Sequence, residues 1–123
     1  MKTLIVIGGV FALGFFVFHV FFWKLFNWKQ ELSKLSSINR GVMQVLNLCL
    51  MWLFLVFGYV SLIHTDELIS TPLGKTVLLG IALLWFFRAV EQVVFFKLDS
   101  AISVGFFLLF LIGTGLYAVP AFA

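Results

Sequence analysis

The sequence predicts an all-α integral membrane protein, a four-helix transmembrane bundle, and three observations carry that expectation. Hydrophobic residues make up 63% of the 123-residue chain and charged residues 11%, where a soluble domain carries about 25% charged residues. The mean hydropathy is +1.20. The apolar residues fall into four runs, over 3–23, 41–63, 76–96 and 101–122, each close to the ~20 residues that cross a hydrocarbon core. A chain this short has too little interior to hide such a surface from water, so a bilayer is its natural solvent and the whole chain forms a single transmembrane domain.

The first run opens on a lone cation, Lys2, and closes on Trp23-Lys24. A cleaved secretory signal has a shorter apolar stretch and a small-residue cleavage site, so a retained helix is expected. The connection 24–40, KLFNWKQELSKLSSINR, sets Lys24, Lys29, Lys34 and Arg40 against Glu31. Leu25, Trp28, Leu32 and Leu35 recur within it at helical spacing, with lysines between them. That pattern predicts a short interfacial amphipathic helix between helices 1 and 2, with Trp23 and Trp28 at headgroup depth and anchoring as its role. Ser36 or Ser37 can cap the second span.

The connection 64–75, HTDELISTPLGK, sets Asp66 and Glu67 against Lys75. Thr71 can cap the third span while Pro72 takes its first position, where a missing N–H costs nothing. KLDS at 97–100 is a tight turn, so the last two spans should be antiparallel neighbours, and Ser100 can cap the fourth. Cations gather in 24–40 and 97–100. The positive-inside bias therefore predicts a bacterial inner (cytoplasmic) membrane protein with those connections cytoplasmic, 64–75 as the outer loop and both termini outside.

Several classes are disfavoured. The net charge of +3 is explained by topology, so no nucleic-acid partner is expected. The single cysteine, Cys49, excludes an intramolecular disulfide. No CxxC, HExxH, GxSxG or phosphate-loop pattern occurs, and His19 and His64 lie far apart, so no metal site is predicted. No cofactor is predicted; a quinone or a single-histidine haem is the one kind the pattern leaves open. HVFFWKL (19–25) also resembles QVVFFKL (92–98), which would make the two hairpins parallel duplicates.

The polar residues inside the spans share a depth. Counted at about 1.5 Å per residue from the basic connections, His19 lies roughly 7 Å in, Gln44 and Asn47 about 6 and 10 Å, and Gln92, Glu91 and Arg88 about 7, 9 and 13 Å. Ser103 sits near the same level, and the opposite half holds little beyond Tyr59, Thr114 and Tyr117. Facing supports one layer. Gly8, Ala12, Phe15 and His19 form a stripe, as do Arg40, Gln44, Asn47 and Met51, and Ser103, Phe107, Phe110 and Thr114. Arg88, Glu91 and Gln92, at i, i+3 and i+4, share a helix face. Trp52 and Trp85 fall just beyond and would roof the layer.

A central charge costs about 2.5–3.5 kcal/mol on insertion scales, and the third span carries two. Arg88 is too deep to reach water easily, so Glu91 is expected to neutralise it, with Gln44, Asn47 and His19 adding hydrogen bonds. That layer reads either as interhelical glue or as a binding site for a lipid-like, anionic or quinone ligand. In the site reading Arg88 supplies charge, Glu91 balances it, and Gln44, Asn47, Gln92 and His19 orient the ligand.

NRGVMQVLN (39–47), opening the second span after a basic loop, resembles the Arg-and-Asn opening of that span in the membrane-associated eicosanoid and glutathione metabolism family. The resemblance covers only these residues, and that family's denser run of charges for glutathione is missing, so no functional residue carries over. The expected function is non-catalytic: a membrane-complex subunit or binding protein whose partners are the bilayer and either further copies of itself or other membrane subunits. Two rivals stand beside it. One is a purely structural accessory or scaffold subunit; the other is a small membrane enzyme or proton-coupled transporter using His19 and Glu91.

Overall fold

The structure, a computed structural model, describes residues 1–123 and is helical throughout, without strands. In chain order the elements are α1 (Lys2–Val20), two single-turn helices α2 (Phe22–Leu25) and α3 (Trp28–Glu31), a 3-10 turn (Leu32–Lys34), α4 (Ser37–Ile63), α5 (Thr65–Ser70), α6 (Pro72–Glu91) and α7 (Ala101–Phe122). A π-helical turn, Gln92–Phe96, extends α6. Four of these helices, α1, α4, α6 with its extension, and α7, are long and apolar enough to cross a membrane. The shortest, α1, has 19 residues, about 28 Å at the helical rise, close to the thickness of a hydrocarbon core.

The three helix starts are set by hydroxyl caps. Ser36 accepts the Asn39 N–H, Thr71 accepts the Gly74 N–H with Pro72 beside it, and Ser100 accepts the Ser103 N–H. Each satisfies one of the donors that a helix N-terminus leaves without an intrahelical partner.

Helices α1 and α4 pack along each other, as do α6 and α7, and α1 against α7 joins the two hairpins. Trp85 of α6 lies at the centre, 1% exposed. Its ring stacks on Phe54 of α4 at 5.5 Å and on Phe110 of α7 at 6.0 Å, and meets Phe11 and Phe15 of α1 at 4.9 and 5.0 Å. All four long helices are therefore tied through one indole. A Cβ at Gly113 would stand 2.8 Å from the Phe11 ring and 3.0 Å from Trp85, so only glycine lets α7 approach here.

The second close approach lies at the opposite end of the bundle. Tyr117 of α7 reaches across α1 to Ser61 of α4, sharing a hydrogen bond of 2.7 Å, and both residues are fully buried. Its path crosses Gly8, where a Cβ would come within 2.7 Å of the tyrosine ring. The same end is closed by Lys2 against Asp66 at 2.5 Å and by Lys75, whose ammonium donates to the carbonyls of Pro120 and Ala123.

Only 24 of the 123 residues are buried. Whole faces of valine, leucine and phenylalanine look outward, a surface suited to lipid rather than to water.

Three sequence expectations are corrected. The connection between α1 and α4 is not one amphipathic helix. It breaks at Asn27, which adopts the left-handed conformation that asparagine tolerates, and folds back so that Trp28 and Leu32 are buried while Leu25 stays exposed. Trp52 is 68% exposed and roofs nothing; Trp85 alone occupies the centre. The repeat is not mirrored locally, because 19–25 is α-helix interrupted at Phe21 whereas 92–96 forms a π turn.

The Gly8 contact makes a direct prediction. Gly8→Val should lower stability by about 1–3 kcal/mol, the usual cost of overpacking a filled core. Gly14→Val, where a Cβ meets open space, should stay within about 0.5 kcal/mol of the parent. Unfolding midpoints in a detergent titration compare them, and equal losses would exclude the close approach.

Candidate functional site

The polar residues of the basic end do not form one connected layer. They divide into two interhelical clasps, one loop contact, and a pair of charges that do not meet.

The first clasp joins α1 and α4. His19 Nδ1 lies 2.7 Å from Asn47 Oδ1, and Asn47 Nδ2 donates back to the His19 carbonyl at 3.1 Å. Because the amide oxygen can only accept, Nδ1 carries the proton, which in a neutral imidazole leaves Nε2 as the free acceptor. The imidazole stacks on Phe22 at 4.0 Å. Gln44, one turn earlier on the same stripe, turns to the connection instead. Its Oε1 accepts from Trp23 Nε1 at 3.0 Å and its Nε2 donates to the Arg40 carbonyl at 3.3 Å.

The second clasp joins α6 and α7. Gln92, 5% exposed, donates to Ser103 Oγ at 3.0 Å, and Ser103 Oγ donates to the Lys97 carbonyl. Lys97 has φ 59° and ψ 169°, a region almost reserved for glycine and costing on the order of 1–3 kcal/mol unless its surroundings hold it. Ser103, bonded to the Lys97 carbonyl and itself capped by Ser100, supplies that hold.

Arg88 and Glu91 are placed apart, which overturns the expected ion pair. The inward stripe of α6 runs Leu78, Ile81, Ala82, Trp85, Ala89 and Gln92. With Trp85 fixed inward, a 100° turn per residue sets Gln92 within about 20° of it and Arg88 about 60° away, but Glu91 about 120° away. Glu91 is accordingly exposed, in no salt bridge and no hydrogen bond. The Arg88 guanidinium lies 4.5 Å from the Phe110 ring centroid and 5.5 Å from that of Phe96, and its buried Nη1 has no hydrogen-bond partner. Each cation–π contact contributes about 0.5–2 kcal/mol, so the two together are of the order of the about 2.5–3.5 kcal/mol that a central arginine costs, but neither gives Nη1 an acceptor. Trp85 Nε1, one turn earlier, is the other buried donor without a partner.

No family model, curated protein or solved structure matches this chain. The likeness at 39–47 stays confined to those residues, and they serve the chain's own packing. Arg40 donates through Nε to the Leu32 carbonyl at 2.9 Å and through Nη2 to the Leu35 carbonyl at 3.2 Å, while Asn47 holds His19. His64 stands at the other end of α4, 3.0 Å from Glu67. No cluster of three metal-ligating side chains exists.

Sequence reasoning missed the Ser61–Tyr117 bond and the Trp23–Gln44 bond. Gly8-Gly9 opposite two hydroxyl residues was the available signal for the first; the second depends on how the connection folds back.

A double-mutant cycle checks the separated charges. Arg88→Leu and Glu91→Leu should couple by less than about 1 kcal/mol, the residue of a charge–charge attraction between helix neighbours that make no direct contact. A coupling well beyond 1 kcal/mol would restore the ion pair. Asn47→Leu, which removes both bonds of the first clasp, should cost about 0.6–1.7 kcal/mol, the range for interhelical polar bonds in membranes.

Proposed function

We propose that this chain is a non-catalytic membrane subunit or binding protein whose Arg88 receives an oxygen acceptor from a lipid-like, anionic or quinone ligand. The observation that carries this reading is the separation of Arg88 from Glu91. A half-buried guanidinium whose buried Nη1 lacks an acceptor and an outward carboxylate without a cation are both costly within a bilayer. Each is stabilised by a group from outside the chain. For Arg88 the geometry favours an amphiphile, because Phe96 and Phe110 flank the guanidinium and Trp85 sits one turn away with a second unpartnered donor.

Glu91 favours association. It lies among Phe87, Val90, Val94 and Phe95, all exposed, so a cation of a second copy or of another membrane subunit would offset its charge. Under this reading the basic connections are cytoplasmic and both termini lie outside, in an inner membrane of bacterial type. The scaffold reading keeps a specific support of its own, since His19, Asn47, Gln92 and Ser103 satisfy one another across helices. The transporter or enzyme reading loses ground, because His19 and Glu91 face different surroundings.

Native mass spectrometry after gentle detergent extraction tests both halves together. The expected result is an oligomer or mixed complex that retains an amphiphile. Arg88→Gln should release the amphiphile and Glu91→Gln should release the partner, each with helicity unchanged by circular dichroism. A bare monomer, or a ligand held equally by Arg88→Gln, would overturn the proposal.

A further inference from the structure

A second site lies outside the bundle, where the connection folds back on the start of α4. An open cleft of about 370 Å³ there is lined by Trp23, Trp28, Lys29, Ser33, Arg40 and Gln44. We infer that this cleft binds the phosphate of an anionic phospholipid in the leaflet facing the basic end of the bundle.

The walls are held in place by bonds already made. Trp23 and Trp28 meet edge to face at 5.3 Å, and Gln44 fixes the Trp23 indole through its N–H. Arg40 is clamped through Nε and Nη2 by the carbonyls of Leu32 and Leu35, which leaves Nη1 as its free nitrogen. Lys29 makes no hydrogen bond and no ion pair, and the acid in the connection, Glu31, is taken by Lys34 at 3.3 Å. Ser33 donates to the Gln30 carbonyl at 2.5 Å, so its hydroxyl is turned to the backbone. The cleft therefore presents two cations with open hydrogen-bonding capacity, no competing carboxylate and two indoles.

Depth selects the occupant. The cleft sits between the end of α1 at Val20 and the start of α4 at Ser37, the level at which tryptophan and the phosphates of lipid headgroups meet. A free guanidinium nitrogen and a mobile ammonium suit a phosphate oxygen. The tryptophan rings supply the apolar wall against which the glycerol and first methylenes lie. This site is independent of Arg88, which lies inside the bundle.

The test uses the purified full chain in a non-ionic detergent, with short-chain phosphatidylglycerol and phosphatidylcholine added separately and bound lipid counted by native mass spectrometry. Phosphatidylglycerol should bind in preference to phosphatidylcholine. Lys29→Gln should weaken it about fivefold, as expected for removing one basic residue near an anionic surface, and Lys29→Arg should restore it. Lys29 is exposed and contacts no partner, so an unchanged thermal midpoint verifies the fold. Running Lys29→Gln in the Arg88→Gln background separates the two sites, because the fivefold loss should persist there. Equal binding of the two lipids, or phosphatidylglycerol binding that ignores Lys29→Gln, overturns the assignment. Displacement of the lipid by inorganic phosphate would show a site for the free anion and overturn the lipid as its occupant.

Discussion

The rest of the structure depends on where Trp85 points. Between helices in lipid the hydrophobic effect offers little, because the tails are as apolar as the side chains, so association rests on close packing and a few polar bonds. Trp85 supplies that packing for all four long helices at once, stacked on Phe54 and Phe110 and edge-on to Phe11. Gly113 is the space that permits it. Once the indole faces inward, the rotation of α6 is set, and with it the direction of every polar residue in the following two turns. Ala89 and Gln92 enter the core, Arg88 lies at its edge, and Glu91 faces out. The polar arrangement is thus a consequence of aromatic packing rather than its cause.

That dependence explains what could be read from the sequence. The apolar runs gave the helices because length and composition suffice, and Ser36, Thr71-Pro72 and Ser100 marked their starts because capping is local. The stripe Arg40–Gln44–Asn47–Met51 was legible too, since periodicity places residues on one face. The Arg88–Glu91 relation was not. An i, i+3 spacing says that two side chains are near each other, not which of them meets the core, and the flanking Trp85, Phe86 and Phe87 offer three aromatic candidates for the inward position. Only Trp85 is buried. The Ser61–Tyr117 bond was illegible for a related reason: it joins residues far apart in sequence through a gap that two small residues of a third helix create. The connection was misjudged because its leucine spacing continues through Asn27, where the backbone does not.

Magnitudes separate the polar groups into two kinds. The His19–Asn47 and Gln92–Ser103 clasps are satisfied, and such bonds contribute about 0.6 kcal/mol on average. They fix register more than they add stability. Arg88 is different, since its aromatic contacts offset charge but give its buried Nη1 no hydrogen-bond acceptor.

The two ends of the bundle differ in the same sense. At the end where the termini lie, Lys2 meets Asp66, Lys75 meets the last carbonyls of α7, His64 meets Glu67, and Ser61 meets Tyr117. The charged side chains there all find partners within the chain. At the basic end, Arg88 Nη1, one arm of Arg40 and the Lys29 ammonium all remain without partners. These three cations are framed by Trp23, Trp28, Phe96 and Phe110, so at this end open donors lie against aromatic rings, whereas at the other end the charged side chains meet partners within the chain.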